Sequence, residues 1–337
     1  MRVLFRADAS VRQGSGHVMR CLTLAEAFTA RGDEVIFVSA IDSIPWLVSH
    51  MADAGYRTFA VDAHSLDAVA VLPLAPDWVV VDSYVIPAGD ITALAEEVPV
   101  LAIVDGDARG IVATLFLDQN LGATPVSGYE ERSLAGAPYA LIRDAVLDGR
   151  RDQPWLVDGV PRVTAFMGGT DSSGTIVAVA RQLALVGEAF DVVVVCPPAF
   201  HPDVVDALGP TVTVLAPTPD LPRILAGSNV IVSAAGTSAW DICTLGVPAL
   251  LVGVVDNQSA SLQRATAGGL VLGIDLVRGG SLEELPGAVR LLLTDVGARE
   301  TLSRHSTAAF DGEGKRRVLE AMLSGGAASA HALTDSL

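Results

Sequence analysis

The sequence predicts an α/β fold of two doubly wound domains, and three observations carry that prediction. The chain has 337 residues, more than one ordinary domain of about 100–200 residues holds. Short, continuously apolar runs alternate with stretches of helical periodicity, the pattern of parallel strands buried on both faces beneath covering helices. Between Asp148 and Pro161 the sequence turns polar and irregular, and a new apolar run starts at Arg162. The expected division is residues 1–150 and 151–323, with the small and polar stretch 324–337 expected as a disordered tail.

In the first half, the apolar run Arg2 to Asp8 is followed by glycines. Apolar residues then recur at helical spacing from His17 to Ala30 through Val18, Cys21, Leu22, Leu24, Ala25 and Phe28. Gly32-Asp33 closes that helix, and Val35 to Val38 reads as the next strand, which is how a βαβ unit begins. Further strands are expected at Trp78 to Val81, Val100 to Val104 and Leu115 to Leu117. The second half repeats the logic with strands at Arg162 to Met167, Val192 to Val195, Val212 to Leu215, Val230 to Ser233 and Ala249 to Val252. Each half is a Rossmann-like alternation, without detectable sequence repetition between them.

Composition narrows the function. Half of the residues are apolar and 18% are charged, with a formal net charge of −17. There is ample material for buried cores and no signature of disorder. The negative charge repels nucleic-acid phosphates and anionic membranes. The one cationic cluster, Lys315-Arg316-Arg317, sits beside Asp311 and Glu313 as a solvated helix face. No nucleic acid and no membrane is expected as partner. The three cysteines, Cys21, Cys196 and Cys243, lack metal-ligand spacing and read as buried thiols. Arg2, Arg6 and Asp8 interrupt the apolar start, leaving no secretory signal core, and no uninterrupted apolar span reaches about 20 residues. A cytoplasmic monomer is the expectation.

Gly14-Ser15-Gly16-His17 falls where the first strand has ended and a helix begins. Glycines allow a ligand close to the backbone, and exposed amides at a helix start favour anions. A dinucleotide fingerprint would need a third glycine where Met19 stands, which argues against a nicotinamide enzyme. The helix dipole lowers the pKa of His17, so a neutral imidazole able to accept a proton is expected there, although capping the helix would also explain a histidine. Asp8, at the end of the preceding strand, is the candidate to orient the ring. In the second half, Ala235-Gly236-Thr237-Ser238 opens a helix and can hold a diphosphate through amides and hydroxyls, while Asp241, about one turn on, can accept from ribose hydroxyls. Serine and threonine are also ordinary N-caps, so this loop alone is ambiguous. Gly168-Gly169 follows another strand as a second glycine turn, and Asp82, Tyr84, Asn257 and Gln258 also stand just beyond predicted strands. Open α/β sheets place their ligands at that edge.

These residues fall in strings that resemble the PseG-type UDP-sugar hydrolases: Phe5 to Ser10, Gly14 to Leu22, Val81 to Tyr84, Leu117 to Asn120, Tyr139 to Arg143, Ser233 to Trp240, Asn257-Gln258 and Asp311 to Gly314. The strings are short, but they occur in order along almost the whole chain. The resemblance implies a GT-B-like fold, two Rossmann-like domains facing across a cleft, with no metal and no organic cofactor. It implies hydrolysis of a UDP-activated deoxy-amino sugar, with the family's substrate UDP-2,4-diacetamido-2,4,6-trideoxy-β-L-altropyranose. His17 would act as general base on water and the anomeric carbon would invert. Gly16 and His17 would face the sugar with Tyr84 near it, Gly236 to Ser238 would take the diphosphate, Asn257 and Gln258 would contact sugar or phosphates, and Arg20 would join the substrate contacts. The sequence departs from the family pattern at Asp105-Gly106-Asp107, at Asp241 in place of Glu, and at Arg143-Asp144-Ala145-Val146. The alternative within the same fold is a glycosyltransferase, in which a small-molecule or lipid hydroxyl replaces water.

Overall fold

The computed structural model describes residues 1–63, 66, 71–171 and 174–332. It divides into two compact units. The first comprises Met1–Ser10, Ser15–Leu141 and the C-terminal segment from Gly312, and the second comprises Val11–Gly14 and Ile142–Asp311.

The first unit contains β1 (Arg2–Ala7), β2 (Ala9–Ser10), β3 (Glu34–Ser39), β4 (Ile41–Asp42), β5 (Arg57–Ala60), β6 (Trp78–Asp82), β7 (Val100–Ile103), β8 (Leu115–Asp118) and β9 (Ser133–Ala135). Seven of these form one parallel sheet in the order β5-β3-β1-β6-β7-β8-β9, and β2 pairs with β4 outside it. Successive side chains alternate between its faces. Val3, Phe5, Val35, Phe37, Trp78, Val80, Leu101 and Ile103 join one core, while Leu4, Ile36, Val38, Val79, Val81, Val100 and Ala102 join the other. Both faces are apolar because both are covered, which is why these strands read as continuous apolar runs. The helix Gly16–Ala30 covers the first face with Val18, Cys21, Leu22, Leu24, Ala25 and Phe28. Phe5 stacks on Phe37 at 5.1 Å and meets Phe28 edge-on at 6.4 Å. Each such ring contributes about 1.5–3 kcal/mol by leaving water.

The second unit contains β10 (Arg162–Phe166), β11 (Asp191–Val195), β12 (Thr213–Leu215), β13 (Val230–Ala234), β14 (Ala249–Gly253) and β15 (Leu272–Asp275). They form a parallel sheet in the order β12-β11-β10-β13-β14-β15. In both sheets the chain builds outward to one side, then returns to the centre and builds to the other. The direction of winding therefore reverses between β1 and β6 in the first unit and between β10 and β13 in the second. At those reversals, Ala7 pairs with Asp82 and Phe166 with Ser233, so the loops that follow open side by side at the carboxyl ends of the strands.

The observed division departs from the expected one. The boundary lies between Leu141 and Ile142, ahead of the polar stretch, because Arg151 and Arg150 in that stretch already donate to Ser228 O, at 2.6 Å, and to Thr244 O, at 2.9 Å. Residues 312–323 belong to the first unit. The last helix, Gly314–Ala332, packs Val318 and Met322 into the first core, and Lys315 Nζ meets Glu26 at 3.1 Å. That helix continues beyond residue 324, where a tail is expected from composition, while 333–337 lie outside the described residues. Among the described residues no helix is long and apolar enough to cross a membrane.

Gly314 marks how closely the last helix approaches the first unit, since a Cβ there would lie 2.2 Å from Ala140 O and 2.6 Å from Ala140 N. Gly314→Ala should destabilise the protein by at least about 2 kcal/mol, whereas Gly287→Ala, in open space inside the helix Leu285–Thr294, should be stabilising by roughly 0.5–1 kcal/mol. Urea midpoints of the two variants, with m unchanged, check both signs.

Candidate functional site

In the first unit the winding reversal brings His17, Arg20, Asp82, Tyr84 and Asp105 together. Helix Gly16–Ala30 starts directly after the loop that leaves β1, placing His17 in its first turn and Arg20 one turn later. Asp82 ends β6, Tyr84 follows two residues on, and Asp105 follows β7. The His17 ring is buried, with Nδ1 3.8 Å from Asp82 Oδ1 and its edge against the Tyr84 ring, centroids 4.6 Å apart. Burial lowers the pKa of His17. Arg20 adds to that effect, while Asp82, Asp105 and Asp8 oppose it, and the balance leaves the imidazole neutral at pH 7.

Arg20 organises the carboxylates. Its Nε donates to Asp82 Oδ2 at 2.5 Å and Nη2 to Asp82 Oδ1 at 2.7 Å, while Nη1 and Nη2 reach the two oxygens of Asp105, each at 3.0 Å. Arg20 is 4% exposed and four of its N–H bonds go to these two partners, an internal clamp. Asp105 also accepts from the Tyr84 hydroxyl and from Asn120 Nδ2 at 2.6 Å. Burial alone would raise the Asp105 pKa, yet Arg20, Tyr84 and Asn120 hold it well below the usual carboxylate range. Burial and the Asp105 charge push the Tyr84 phenol above its ordinary range, so it remains a donor. The Tyr84 ring is 42% exposed, and Arg109 secures its loop by donating to Tyr84 O at 2.7 Å and to Ser83 O.

Asp8 does not hold the place beside the ring that its position in sequence suggests. Its Oδ1 accepts from Arg6 Nη1 and from the Ala40 N–H at 2.7 Å, and its buried Oδ2 has no hydrogen-bond partner among the described residues. The carboxylate nearest to the imidazole is that of Asp82. Asp105 and Asn120 fall in stretches read from sequence without a role in the site, and Arg109 falls in none. The signal that could have found Asp105 is the same one that found Asp82, an acidic residue directly after a central strand.

In the second unit both glycine loops stand at the winding reversal. Gly168 adopts φ +85°, with open space where a Cβ would be. Asp171 caps the helix Thr175–Leu183 by accepting from Thr175 N and Ile176 N, each at 3.1 Å. Gly14 joins this loop, since a Cβ on it would lie 4.0 Å from Thr170 Oγ1. After β13, Gly236 lies against Gln258, whose Nε2 would be 3.7 Å from a Cβ on it, and Gln258 Oε1 accepts from Val254 N at 2.9 Å. Thr237 is the N-cap of the helix Ser238–Leu245, and its hydroxyl makes no capping bond. The amides of this helix start and the half-buried hydroxyls of Thr237 and Ser238 therefore form a donor-rich surface suited to an anion. Asn257, in the first turn of the helix Asp256–Ala267, is exposed. Asp241 is buried and already accepts from Arg143 Nη2 at 2.5 Å, a partner 98 residues away that its place in the sequence does not reveal. Burial raises its pKa and Arg143 counters that shift. Among the described residues no group of three or more His, Cys, Asp or Glu is arranged to hold a metal ion.

Because His17 binds a proton more weakly when folded than when unfolded, stability contributed by its neutral state is lost as the pH falls from about 6.5 through the lowered folded pKa. Wild type should lose more stability than His17→Gln between pH 7 and pH 5 in urea titrations, and the His17 ring protons should titrate by NMR with a midpoint below 6.5.

No protein-family model matches the chain, and neither does any curated protein. Solved structures do match it. The chain is similar to Acinetobacter baumannii MurG at 16% identity and a TM-score of 0.67, covering 96% of this chain and 99% of that one. Glycosyltransferase VinC in complex with dTDP matches at 17% identity and a TM-score of 0.64, covering 97% and 99%. Spinosyn rhamnosyltransferase SpnG complexed with thymidine diphosphate matches at 18% identity and a TM-score of 0.66, covering 95% and 100%. With two parallel-sheet α/β domains matched over nearly their whole length, the chain has the GT-B fold.

Proposed function

We propose that the protein is a glycosyltransferase-type enzyme that moves the sugar of a nucleoside-diphosphate sugar to an acceptor hydroxyl with inversion at the anomeric carbon. The observation that carries this reading is the neutral, buried His17 with Asp82 on its Nδ1 side, standing at the winding reversal of the first sheet. Two of the structures of similar fold support it, since glycosyltransferase VinC and rhamnosyltransferase SpnG each hold a thymidine diphosphate.

In this mechanism Nε2 of His17 takes the proton of the acceptor O–H while that oxygen attacks the anomeric carbon. The bond from that carbon to the diphosphate oxygen breaks, and the leaving group departs with its electron pair. Asp82 stabilises the imidazolium that forms. The amides and hydroxyls of Gly236, Thr237 and Ser238, with Gln258 beside them, receive the diphosphate charge. Gly168, Gly169 and Gly14 provide close backbone approach, Asn257 a polar contact at the loop edge, and Tyr84 an open aromatic face for the sugar.

Hydrolysis of a UDP-sugar is the second reading, favoured by the ordered strings from Phe5 to Gly314 that resemble the PseG-type hydrolases. It uses the same base and leaving-group site with water in place of the acceptor alcohol. NMR of the purified protein with a panel of UDP- and dTDP-sugars, with and without acceptor alcohols, separates the two. Nucleotide release that requires an alcohol supports transfer, and release of free sugar without one supports hydrolysis. Absence of both binding and turnover across the panel overturns both.

His17→Asn should lower kcat by about 10²–10⁴-fold with nucleotide affinity little changed. Thr237→Val and Ser238→Ala should instead raise the KM for the nucleotide sugar before they affect kcat. Steady-state kinetics on whichever donor the wild type consumes checks both patterns, and a wild-type rate in His17→Asn removes the base assignment.

A further inference from the structure

Two carboxylates converge on one buried guanidinium, and only one of them is needed to neutralise it. Asp82 alone makes a bidentate pair with Arg20, at 2.5 and 2.7 Å. Adding Asp105 to the same guanidinium costs desolvation without a further cation to balance it. That cost is offset by the bonds Asp105 receives from Arg20, Tyr84 and Asn120, all on the carboxylate. With one positive and two negative groups, the Arg20–Asp82–Asp105 cluster carries a net charge of −1 immediately beside His17.

We propose that Asp105 is a positioning residue for the reaction: through Arg20 it fixes Asp82 against His17, and it supplies the surplus negative charge that stabilises the imidazolium formed when His17 takes up a proton. This rests on the reading of His17 as the base. Before proton uptake the ring is neutral and the cluster is −1. Afterwards the ring is +1 and the assembly is neutral, so the buried charge is compensated in the state that follows proton transfer. The same carboxylate holds the Tyr84 hydroxyl and so fixes the aromatic edge against the imidazole.

The other groups facing His17 do not supply this surplus. Asp8 is paired with Arg6. Tyr84 and the buried Cys21 thiol, 4.0 Å from Asp82, are both kept protonated by burial. Asp118, which accepts from Gly106 N at 2.7 Å and from Asn120 Nδ2 at 2.9 Å, has its pKa raised by burial and is not among the charges acting on His17. Arg109 lies over the Tyr84 ring at 6.0 Å with its guanidinium committed to the Ser83 and Tyr84 carbonyls.

NMR titration of the His17 ring in the full-length, ligand-free protein tests the proposal, with the resonance assigned by its loss in His17→Asn. Asp105→Asn should lower the His17 midpoint by about one pH unit, the size expected for removing a charge several ångströms away at an effective dielectric constant of about 20. Asn120→Asp, which adds a carboxylate against Asp105, should raise it, and Asp105→Glu should leave it near the wild-type value. Loss of packing alone would not move the midpoint in opposite directions in the first two variants. An unmoved midpoint in Asp105→Asn overturns the proposal; should that variant not fold, an unmoved midpoint in Asn120→Asp does so. The titration needs no substrate, so its failure is distinct from failure of the base assignment, which would show as a wild-type rate in His17→Asn.

Discussion

A strand buried on both faces has no room along its length for a reactive side chain, so the polar chemistry of a parallel sheet is displaced to where its strands end. That constraint places nearly every group of interest here. The interiors of β1, β6 and β7 are apolar apart from Arg6, and carboxylates come at or just past their carboxyl ends, at Asp8, Asp82 and Asp105. Because all strands run the same way, those ends share one edge. Where the winding reverses, the loops diverge to opposite sides, and the helix carrying His17 and Arg20 begins there. The second unit repeats the arrangement with glycines and hydroxyls in place of carboxylates, so that edge presents donors where the first presents acceptors.

Arg20 shows what burial demands at such an edge. A guanidinium so deeply buried is tolerable only because four of its N–H bonds meet carboxylate oxygens, and with it in place Asp105 is held well below the usual carboxylate range despite its burial. Each member fixes the charge of the others. Removing Arg20 would leave both carboxylates without their shared cation, a larger penalty than the loss of any single hydrogen bond. His17 takes its properties from this surrounding cluster. Burial keeps it neutral, and the carboxylates keep protonation within reach, a combination that a solvent-exposed histidine capping a helix would lack.

The fold was legible in the sequence wherever burial imposed a pattern. Central strands such as Trp78–Asp82 and Val230–Ala234 are fully buried and read directly as apolar runs. The strand Arg57–Ala60 is exposed along its length, and Ser133–Ala135 has only three half-buried residues, so neither leaves a periodic trace. The return of the last helix to the first unit was illegible for another reason. Its anchors, Gly314 against Ala140 and Lys315 against Glu26, are contacts between distant parts of the chain. The same distinction governs the site. Glycine loops and the histidine at a helix start are local features and could be found. Arg20 reads locally as an available cation, yet its partners stand 62 and 85 residues away, and Asp241 reads as an available acceptor although Arg143 already occupies one of its oxygens.

Transfer and hydrolysis make the same demand on these residues. In either case the base begins neutral and ends charged, and the diphosphate leaves carrying negative charge toward a helix start. They differ in the nucleophile, and water needs no binding residues, so a hydrolase can arise from a transferase scaffold by losing an acceptor surface while keeping everything described in the two sheet edges. The ordered strings and the fold likeness therefore pull toward different acceptors without conflicting over His17, Asp82 or Gly236 to Ser238. On the proposed reading of His17 as the base, the electrostatic setting around it is indifferent to whether the proton comes from an alcohol or from water.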